Sequence, residues 1–141
     1  MTKNIRPFHL AFSVKNINKT IEWYTKNLSC KIGRQDKRWV DFNFFGHQIS
    51  AHQANKNEPI NQTNHVDGHK VPIKHFGIIL EYHQWSVLAK KLKSNNIEFI
   101  INPHTRFKGE KGEQSTMFIK DPSDNVIEFK AFKDDKMIFE N

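Results

Sequence analysis

A single carboxylate, Glu128, lies among strand-forming residues near the C-terminal end of the chain. It belongs to the stretch from Thr116 to Phe132, TMFIKDPSDNVIEFKAF, in which Asp-Pro-Ser-Asp-Asn favours a tight turn between two strands, with Asp124 or Asn125 left-handed. A carboxylate buried among apolar neighbours must be paired, hydrogen-bonded or metal-bound, because an isolated buried charge is too costly. Partners for Glu128 are therefore expected elsewhere in the chain.

Two histidines occupy matching places in two segments that have the pattern of strands. His9 lies in RPFHLAFSV, where alternation puts it on the face opposite to the apolar residues, and His75 lies third in IKHFGIILE. Imidazole and carboxylate side chains that project from neighbouring strands can line one cleft. The chemistry open to such a set is acid–base catalysis or the binding of a divalent metal.

The elements that carry these side chains occur twice. Superposing His9 on His75 uses an offset of 66 residues, and superposing Ile49 on Ile127 uses an offset of 78. In each half the predicted order is strand, helix and three strands, which indicates a βαβββ duplication. The predicted fold is therefore α+β, with two such modules side by side forming a curved, mostly antiparallel sheet and with the helices outside.

The expected boundaries follow from this repeat. We predict one domain over 1–141, with module one at about 5–53, a linker at about 54–71, module two at about 72–132 and a C-terminal tail at 133–141. The predicted helices run from about Asn18, as N-cap, to Asn27 and from about Gln84 to Ser94. The linker is polar and without periodicity, so it is interpreted as a module boundary or a mobile lid.

Composition limits the class of protein. The net charge of +7 invites a nucleic-acid interpretation, but the 22 Lys and Arg residues are dispersed and no run of like charge occurs. The single cysteine, Cys30, excludes an intrachain disulfide, and the first residues carry no apolar run of membrane or signal length. We therefore expect a cytoplasmic protein with a small-molecule substrate and with neither nucleic acid nor membrane as a partner.

Three motifs, PFHLAFSV, IKHFGIILE and DPSDNVIEFKAF, occur in an order and at a spacing that resemble the vicinal oxygen chelate superfamily. This superfamily includes glyoxalase I, bleomycin-binding proteins, fosfomycin-resistance transferases and extradiol dioxygenases. The ending GEQSTMFIKDPSDNVIEFKAF is similar to that of the dioxygenase-like, single-chain branch. The resemblance implies that His9, His75 and Glu128 bind a divalent metal, with Fe(II) favoured and Mn, Zn or Ni possible. It also implies that the two βαβββ modules form a curved, mostly antiparallel open barrel around a metal cleft, and that the protein is a homodimer.

Further residues are candidates for the same cleft. His52, on the predicted face of the metal site, is the first candidate for a catalytic base, and His47 is the weaker one. Arg106 is a candidate clamp for an anionic substrate group. Three more residues are predicted to line the substrate pocket: Trp39, Gln114 and Phe118.

The predicted function is that of a metal-dependent enzyme resembling extradiol dioxygenases, which acts on a small oxygen-chelating substrate. The alternatives are a glyoxalase-like isomerase, a fosfomycin-type transferase, or a non-catalytic protein that binds a small molecule such as a drug. The repeat aligns Ser50 with Glu128, so the fourth protein ligand of glyoxalase I is missing at that position. This difference argues against the isomerase.

Overall fold

The computed structural model describes residues 5–54 and 63–140, and the chain forms two compact units, Met1–Pro59 and Ile60–Asn141. The first unit has one four-stranded sheet, in which the strand order is β1-β4-β3-β2, and one helix. Its elements in chain order are β1 (His9–Val14), α1 (Ile17–Leu28), β2 (Lys31–Asp36), β3 (Trp39–Phe44) and β4 (His47–Gln53).

Helix α1 covers one face of this first sheet. The Asn16 side chain caps the helix by accepting a hydrogen bond from the Lys19 N–H at 2.9 Å, so the cap is Asn16 and not the predicted Asn18. The helix ends at Leu28, and the C-cap residue Ser29 is left-handed with φ 55°. Tyr24 is fully buried and stacks on Phe42 of β3, with the ring centroids 5.1 Å apart. Aromatic packing therefore holds the helix on the sheet.

The second unit repeats this arrangement and adds a hairpin in front of it. Its main sheet has the strand order β7-β10-β9-β8, and the added hairpin forms a separate two-stranded sheet. The elements are β5 (Thr63–Val66), β6 (His69–Pro72), β7 (Phe76–Ile79), α2 (Tyr82–Ser94), β8 (Phe99–Arg106), β9 (Gln114–Lys120), β10 (Val126–Phe132) and a 3₁₀ helix (Asp135–Phe139).

The two faces of the second sheet bury different partners. Helix α2 lies on one face, where the Trp85 indole N–H donates to the Phe129 carbonyl at 2.9 Å. On the other face Phe118 forms a buried cluster with Val71 of β6, Ile101 of β8 and Val126. Glu128 lies directly opposite Phe118 in the β9–β10 ladder, so its side chain belongs to the face away from α2.

Strand pairing confirms the predicted βαβββ repeat. Leu10 pairs with Ile49 in the parallel β1–β4 ladder, and Phe76 pairs with Ile127 in the parallel β7–β10 ladder. The two pairs are related by the offsets of 66 and 78 that the sequence indicated. The fold is thus mixed α+β with mostly antiparallel strands, as predicted.

The main difference from the sequence prediction lies in the segment interpreted as a linker. Residues 55–62 are outside the described part, but residues 63–72 form the β5–β6 hairpin rather than irregular chain. An Asp67-Gly68 turn with φ of 47° and 83° joins the two strands, and Val71 anchors the hairpin in the core.

Smaller differences concern element ends. Strand β7 begins at Phe76, so His75 lies just before the strand and not within it. In the turn between β9 and β10, Asp124 is left-handed with φ 65°, as predicted, and Asp121 Oδ1 accepts the Ser123 and Asn125 amides. No helix in the described residues is long and apolar enough to span a membrane.

Candidate metal centre

His75 and Glu128 come together in the second unit. The His75 Nε2 atom lies 3.2 Å from Glu128 Oε1, and the two side chains are 24% and 14% exposed. The other ring nitrogen, Nδ1, donates to the Pro72 carbonyl at 2.9 Å. An imidazole that is anchored through Nδ1 directs its Nε2 lone pair away from the backbone, as metal-binding histidines do.

The separation of these two atoms fits a shared metal ion. Two ligands at about 2.1 Å from one ion lie about 3.0 Å apart at an octahedral angle and about 3.4 Å apart at a tetrahedral angle. The observed 3.2 Å lies between these values. A divalent ion can therefore bind Nε2 of His75 and Oε1 of Glu128 with little movement of either side chain.

Without an ion, the pair acts as a hydrogen-bonded acid and base. The hydrogen bond to Glu128 raises the pKa of His75 above its ordinary value, although burial opposes the charged form. Burial is the largest single influence on the pKa of Glu128, and it favours the protonated form. The hydrogen bonds from His75 and Thr116 together outweigh burial and hold the pKa of Glu128 below its usual range. Glu128 is therefore ionised at neutral pH, as a metal ligand must be.

Thr116 and Phe118 of β9 set the position of this pair. The buried Thr116 hydroxyl donates to Glu128 Oε2 at 2.7 Å, which leaves Oε1 facing His75. The Phe118 ring meets the His75 ring edge-to-face, with centroids 5.3 Å apart. The sequence predicts that Thr116 shares a face of β9 with Gln114 and Phe118, and the strand pairing agrees. The hydrogen bond from Thr116 to Glu128 was not predicted.

Gly77 allows β7 to approach β10 at this point. It pairs with Glu128, and a Cβ atom on Gly77 would lie 1.6 Å from the Glu128 carbonyl oxygen and 2.7 Å from its carbonyl carbon. The equivalent pair in the first unit is Ala11 with Ser50. The first unit thus accommodates the Cβ atom of Ala11 at this position, whereas in the second unit only glycine fits beside the backbone of Glu128.

His9 lies at the equivalent position in the first unit, at the start of β1 and largely exposed. Its Nδ1 donates to Gln48 Oε1 at 2.8 Å, so its Nε2 lone pair is also left for another partner. Within either unit, no three His, Cys, Asp or Glu side chains of the described residues gather in a way that suits a metal ion.

A second carboxylate, Asp41, lies next to Ser50, the residue that has in the first unit the position that Glu128 has in the second. Asp41 of β3 is directly opposite Ser50 of β4, and the Ser50 hydroxyl donates to Asp41 Oδ1 at 2.5 Å. Trp39 and His52 form the next pair on the same face. Sequence reasoning missed Asp41, although its alternation with Trp39 and Asn43 was a usable signal.

Arg106 and Gln114 are paired neighbours on β8 and β9. The Arg106 Nε atom lies 3.2 Å from Asp67 Oδ2 in the turn of the β5–β6 hairpin, so this predicted anion clamp already contacts a carboxylate of the chain itself. The Gln114 amide donates to the Gly112 carbonyl at 3.4 Å. His47 Nδ1 accepts the Phe8 amide at 2.9 Å, which gives the weaker base candidate a structural contact.

A cavity of about 830 Å³ also occurs in the second unit, away from the residues discussed above. It lies between the start of α2, the loop after β8 and the 3₁₀ segment. Its lining is formed by Glu81–Tyr82, Gly109–Lys111, Phe132–Asp135 and Met137. None of the predicted metal, catalytic or substrate residues contributes to it.

Comparison with known proteins identifies the family. The sequence model of the glyoxalase/bleomycin resistance protein/dioxygenase superfamily matches residues 6–129. No curated protein sequence matches the chain. A solved glyoxalase/bleomycin resistance protein/dioxygenase from Alicyclobacillus acidocaldarius is 29% identical over 99% of this chain and 100% of that one, with a TM-score of 0.81.

The fosfomycin resistance protein FosX from Listeria monocytogenes has the same fold. It is 14% identical over 97% of this chain and 98% of that one, with a TM-score of 0.69. A FosX variant has been solved with Mn(II) and a dihydroxypropylphosphonic acid, at 13% identity, full coverage of both chains and a TM-score of 0.68. The chain described here thus belongs to the glyoxalase/bleomycin resistance protein/dioxygenase superfamily.

Proposed function

We propose that this protein is a divalent-metal-dependent enzyme that acts on a small substrate with adjacent oxygen atoms, and that His9, His75 and Glu128 are its metal ligands. The observation that carries the proposal is the separation of 3.2 Å between His75 Nε2 and Glu128 Oε1, with each group held by a further hydrogen bond. Such support around a ligand pair is typical of metal sites.

His9 is the third proposed ligand because of its place in the repeat. It is the first residue of β1, whereas His75 directly precedes β7 at the equivalent place in the repeat, and its Nδ1 is likewise bonded to an oxygen atom. Two imidazoles and one carboxylate leave coordination positions open for a substrate, and this donor set suits Fe(II) best, with Mn, Zn and Ni as alternatives.

The reaction that this donor set favours is dioxygenase-like cleavage of a catechol-type substrate. When bound, the metal supplies Lewis acidity that lowers the pKa of a substrate hydroxyl. A residue of the protein must then accept the hydroxyl proton. His52 is the predicted acceptor, and Asp41, which shares its sheet face, is a second candidate. Trp39, Gln114 and Phe118 are proposed to line the substrate pocket.

A transferase or hydrolytic reaction on a phosphonate is the second candidate. It is favoured by the FosX fold, which in one solved structure holds Mn(II) and a phosphonic acid, and by Arg106, which carries a positive charge on the face of Glu128. At 13% sequence identity this likeness shows a shared fold only, so the substrate must be determined by experiment. A glyoxalase-like isomerase and a non-catalytic drug-binding protein remain further alternatives.

Metal content is the direct test. Wild-type protein purified without chelators is expected to contain about one divalent ion per chain, and His9→Ala, His75→Ala and Glu128→Ala are each expected to lose most of it. His83→Ala, an exposed histidine on α2, is the matched control and should retain the wild-type content. Full metal content in all three ligand variants would disprove the site.

Turnover then separates the reactions. The protein loaded with Fe(II) is tested for oxygen uptake with a panel of catechols, and the protein loaded with Mn(II) is tested with fosfomycin and water or thiol. Oxygen uptake that is lost in Glu128→Ala supports the dioxygenase, whereas phosphonate turnover supports the second candidate. Tight ligand binding without turnover in either assay would favour the binding protein. Homodimerisation and a cytoplasmic location stay predictions.

A further inference from the structure

A pair of basic side chains lies on the Glu128 face of the second sheet. His104 of β8 pairs with Thr116 of β9, and Arg106 pairs with Gln114. Residues directly opposite each other in an antiparallel ladder point to the same face, so both basic groups share the face of Thr116, which donates to Glu128. An imidazole and a guanidinium group therefore lie on β8, with β9 between them and the strand of the proposed metal ligand Glu128.

A carboxylate of the chain itself occupies this region. Asp67 Oδ2 lies 2.9 Å from His104 Nε2 and 3.2 Å from Arg106 Nε. His104 Nδ1 also donates to the Asn102 carbonyl at 3.0 Å, which orients the ring toward Asp67. A single oxygen atom thus receives both contacts, and Arg106 binds it through Nε rather than in the bidentate, two-nitrogen mode that makes arginine–carboxylate pairs strong.

Asp67 is held less firmly than a core residue. It lies in the turn of the β5–β6 hairpin, and the three side chains of the cluster are 34%, 34% and 32% exposed. Ion pairs at such exposure contribute little to stability. Val71 of β6 is buried in the apolar cluster with Phe118, and Val66, the residue before Asp67, packs against that cluster. Rotation of the Asp67 side chain can therefore release the basic pair while the hairpin stays packed.

We propose that Arg106 and His104 form a subsite for the oxyanion group of the ligand, and that Asp67 occupies this subsite until the ligand displaces it. The shared ligand chemistry is a carboxylate or a phosphate-type group, since the subsite already binds a carboxylate oxygen. The link to catalysis rests on the proposed function, but the subsite itself is independent of the metal. Its failure and that of the metal site can thus be distinguished.

The test measures anion binding in metal-free protein, with a chelator present, by NMR titration with benzoate and, separately, inorganic phosphate. Asp67→Asn is expected to bind about five- to ten-fold more tightly than wild type, because it removes the competing carboxylate. Glu98→Gln, which removes an exposed carboxylate elsewhere in the unit, is the matched control. The anion that gains more identifies the ligand group.

Arg106→Gln should abolish saturable anion binding, both alone and in combination with Asp67→Asn. Lys108→Gln removes a nearby exposed charge and should leave saturable anion binding intact. In wild type, a saturating anion should speed amide exchange in the hairpin turn at Gly68, and this measurement needs no variant to fold. The proposal is overturned if Asp67→Asn binds the anion no more tightly than Glu98→Gln, or if Arg106→Gln binds it as well as Lys108→Gln. Unchanged amide exchange at Gly68 in the presence of a saturating anion would also overturn it.

Discussion

Replacing Gly77 with alanine is expected to disrupt the pairing of β7 with β10 and, with it, the His75–Glu128 pair. The new Cβ would lie 1.6 Å from the Glu128 carbonyl oxygen, whereas real Cβ atoms essentially never approach another atom closer than 3.0 Å. The obstructing atoms belong to the backbone, so no side chain can rotate to relieve the contact. The two strands must therefore separate by well over 1 Å.

A displacement of this size breaks hydrogen bonds in the ladder around Gly77, since β7 is an edge strand paired only with β10 in its sheet. Overpacking of a filled site costs about 1–3 kcal/mol, and each lost hydrogen bond about 1 kcal/mol more. We expect the free energy of unfolding to fall by about 2–4 kcal/mol, which lowers the melting temperature by about 10 °C. Metal affinity should fall as well, because the Glu128 backbone shifts.

Gly33→Ala is the matched control, since the same substitution there brings Cβ to 3.5 Å from Asp41, an ordinary contact. It should change the melting temperature by no more than about 2–3 °C. Thermal unfolding followed by circular dichroism and metal titration calorimetry measure both effects. If Gly77→Ala melts within 2 °C of Gly33→Ala, on that same order-of-magnitude scale, the close-approach reasoning is refuted.

Three further changes test the site. Glu128→Gln should lower the pKa of His75 in metal-free protein, because the carboxylate hydrogen bond is what raises it. The stability that the pair contributes should be largest in mildly acidic solution, and should be lost as pH rises through the His75 pKa or falls through that of Glu128. Thr116→Val should weaken metal binding about ten-fold, with recovery in Thr116→Ser, because its hydroxyl orients Glu128. Asp41→Asn should leave metal content unchanged and reduce turnover about a hundred-fold if Asp41 accepts the substrate proton.

NMR titration of the histidine ring, stability against pH, metal calorimetry and steady-state kinetics measure these outcomes. An unchanged His75 pKa in Glu128→Gln would contradict the assignment of the hydrogen bond as its cause. Full metal affinity in Thr116→Val would remove the positioning role of the hydroxyl. Normal turnover by Asp41→Asn, with reduced turnover by His52→Ala, would identify His52 and not Asp41 as the residue that accepts the substrate proton.

The repeat could be predicted from sequence because it depends on short-range periodicity, whereas the assignment of His9, His75 and Glu128 as metal ligands stays a prediction. Alternation in a strand determines which side chains share a face, and the offsets of 66 and 78 residues agree with the strand pairing that the structure has. The Asp-Pro-Ser-Asp-Asn turn was predictable for the same reason, since its chemistry is local.

The β5–β6 hairpin was not predicted because its stability comes from elsewhere in the chain. Its sequence is polar, and only the packing of Val71 and Val66 against Phe118, which lies nearly fifty residues later, explains why it folds. The Asp-Gly turn at Asp67 is a signal that could have indicated it. Burial of a few apolar residues by distant partners is invisible to local periodicity.

The contacts that orient His75 and Glu128 were likewise decided by tertiary structure. The sequence by itself determined that a carboxylate at Glu128 needs a partner and that His75 is a candidate, since residue type and strand parity are local properties. Only the three-dimensional arrangement decided that Pro72 orients the imidazole, that Thr116 binds the second carboxylate oxygen and that Gly77 lets the strands meet. The contacts of Thr116 and Gly77 with Glu128 join residues on different strands, so their distances depend on how the strands pack.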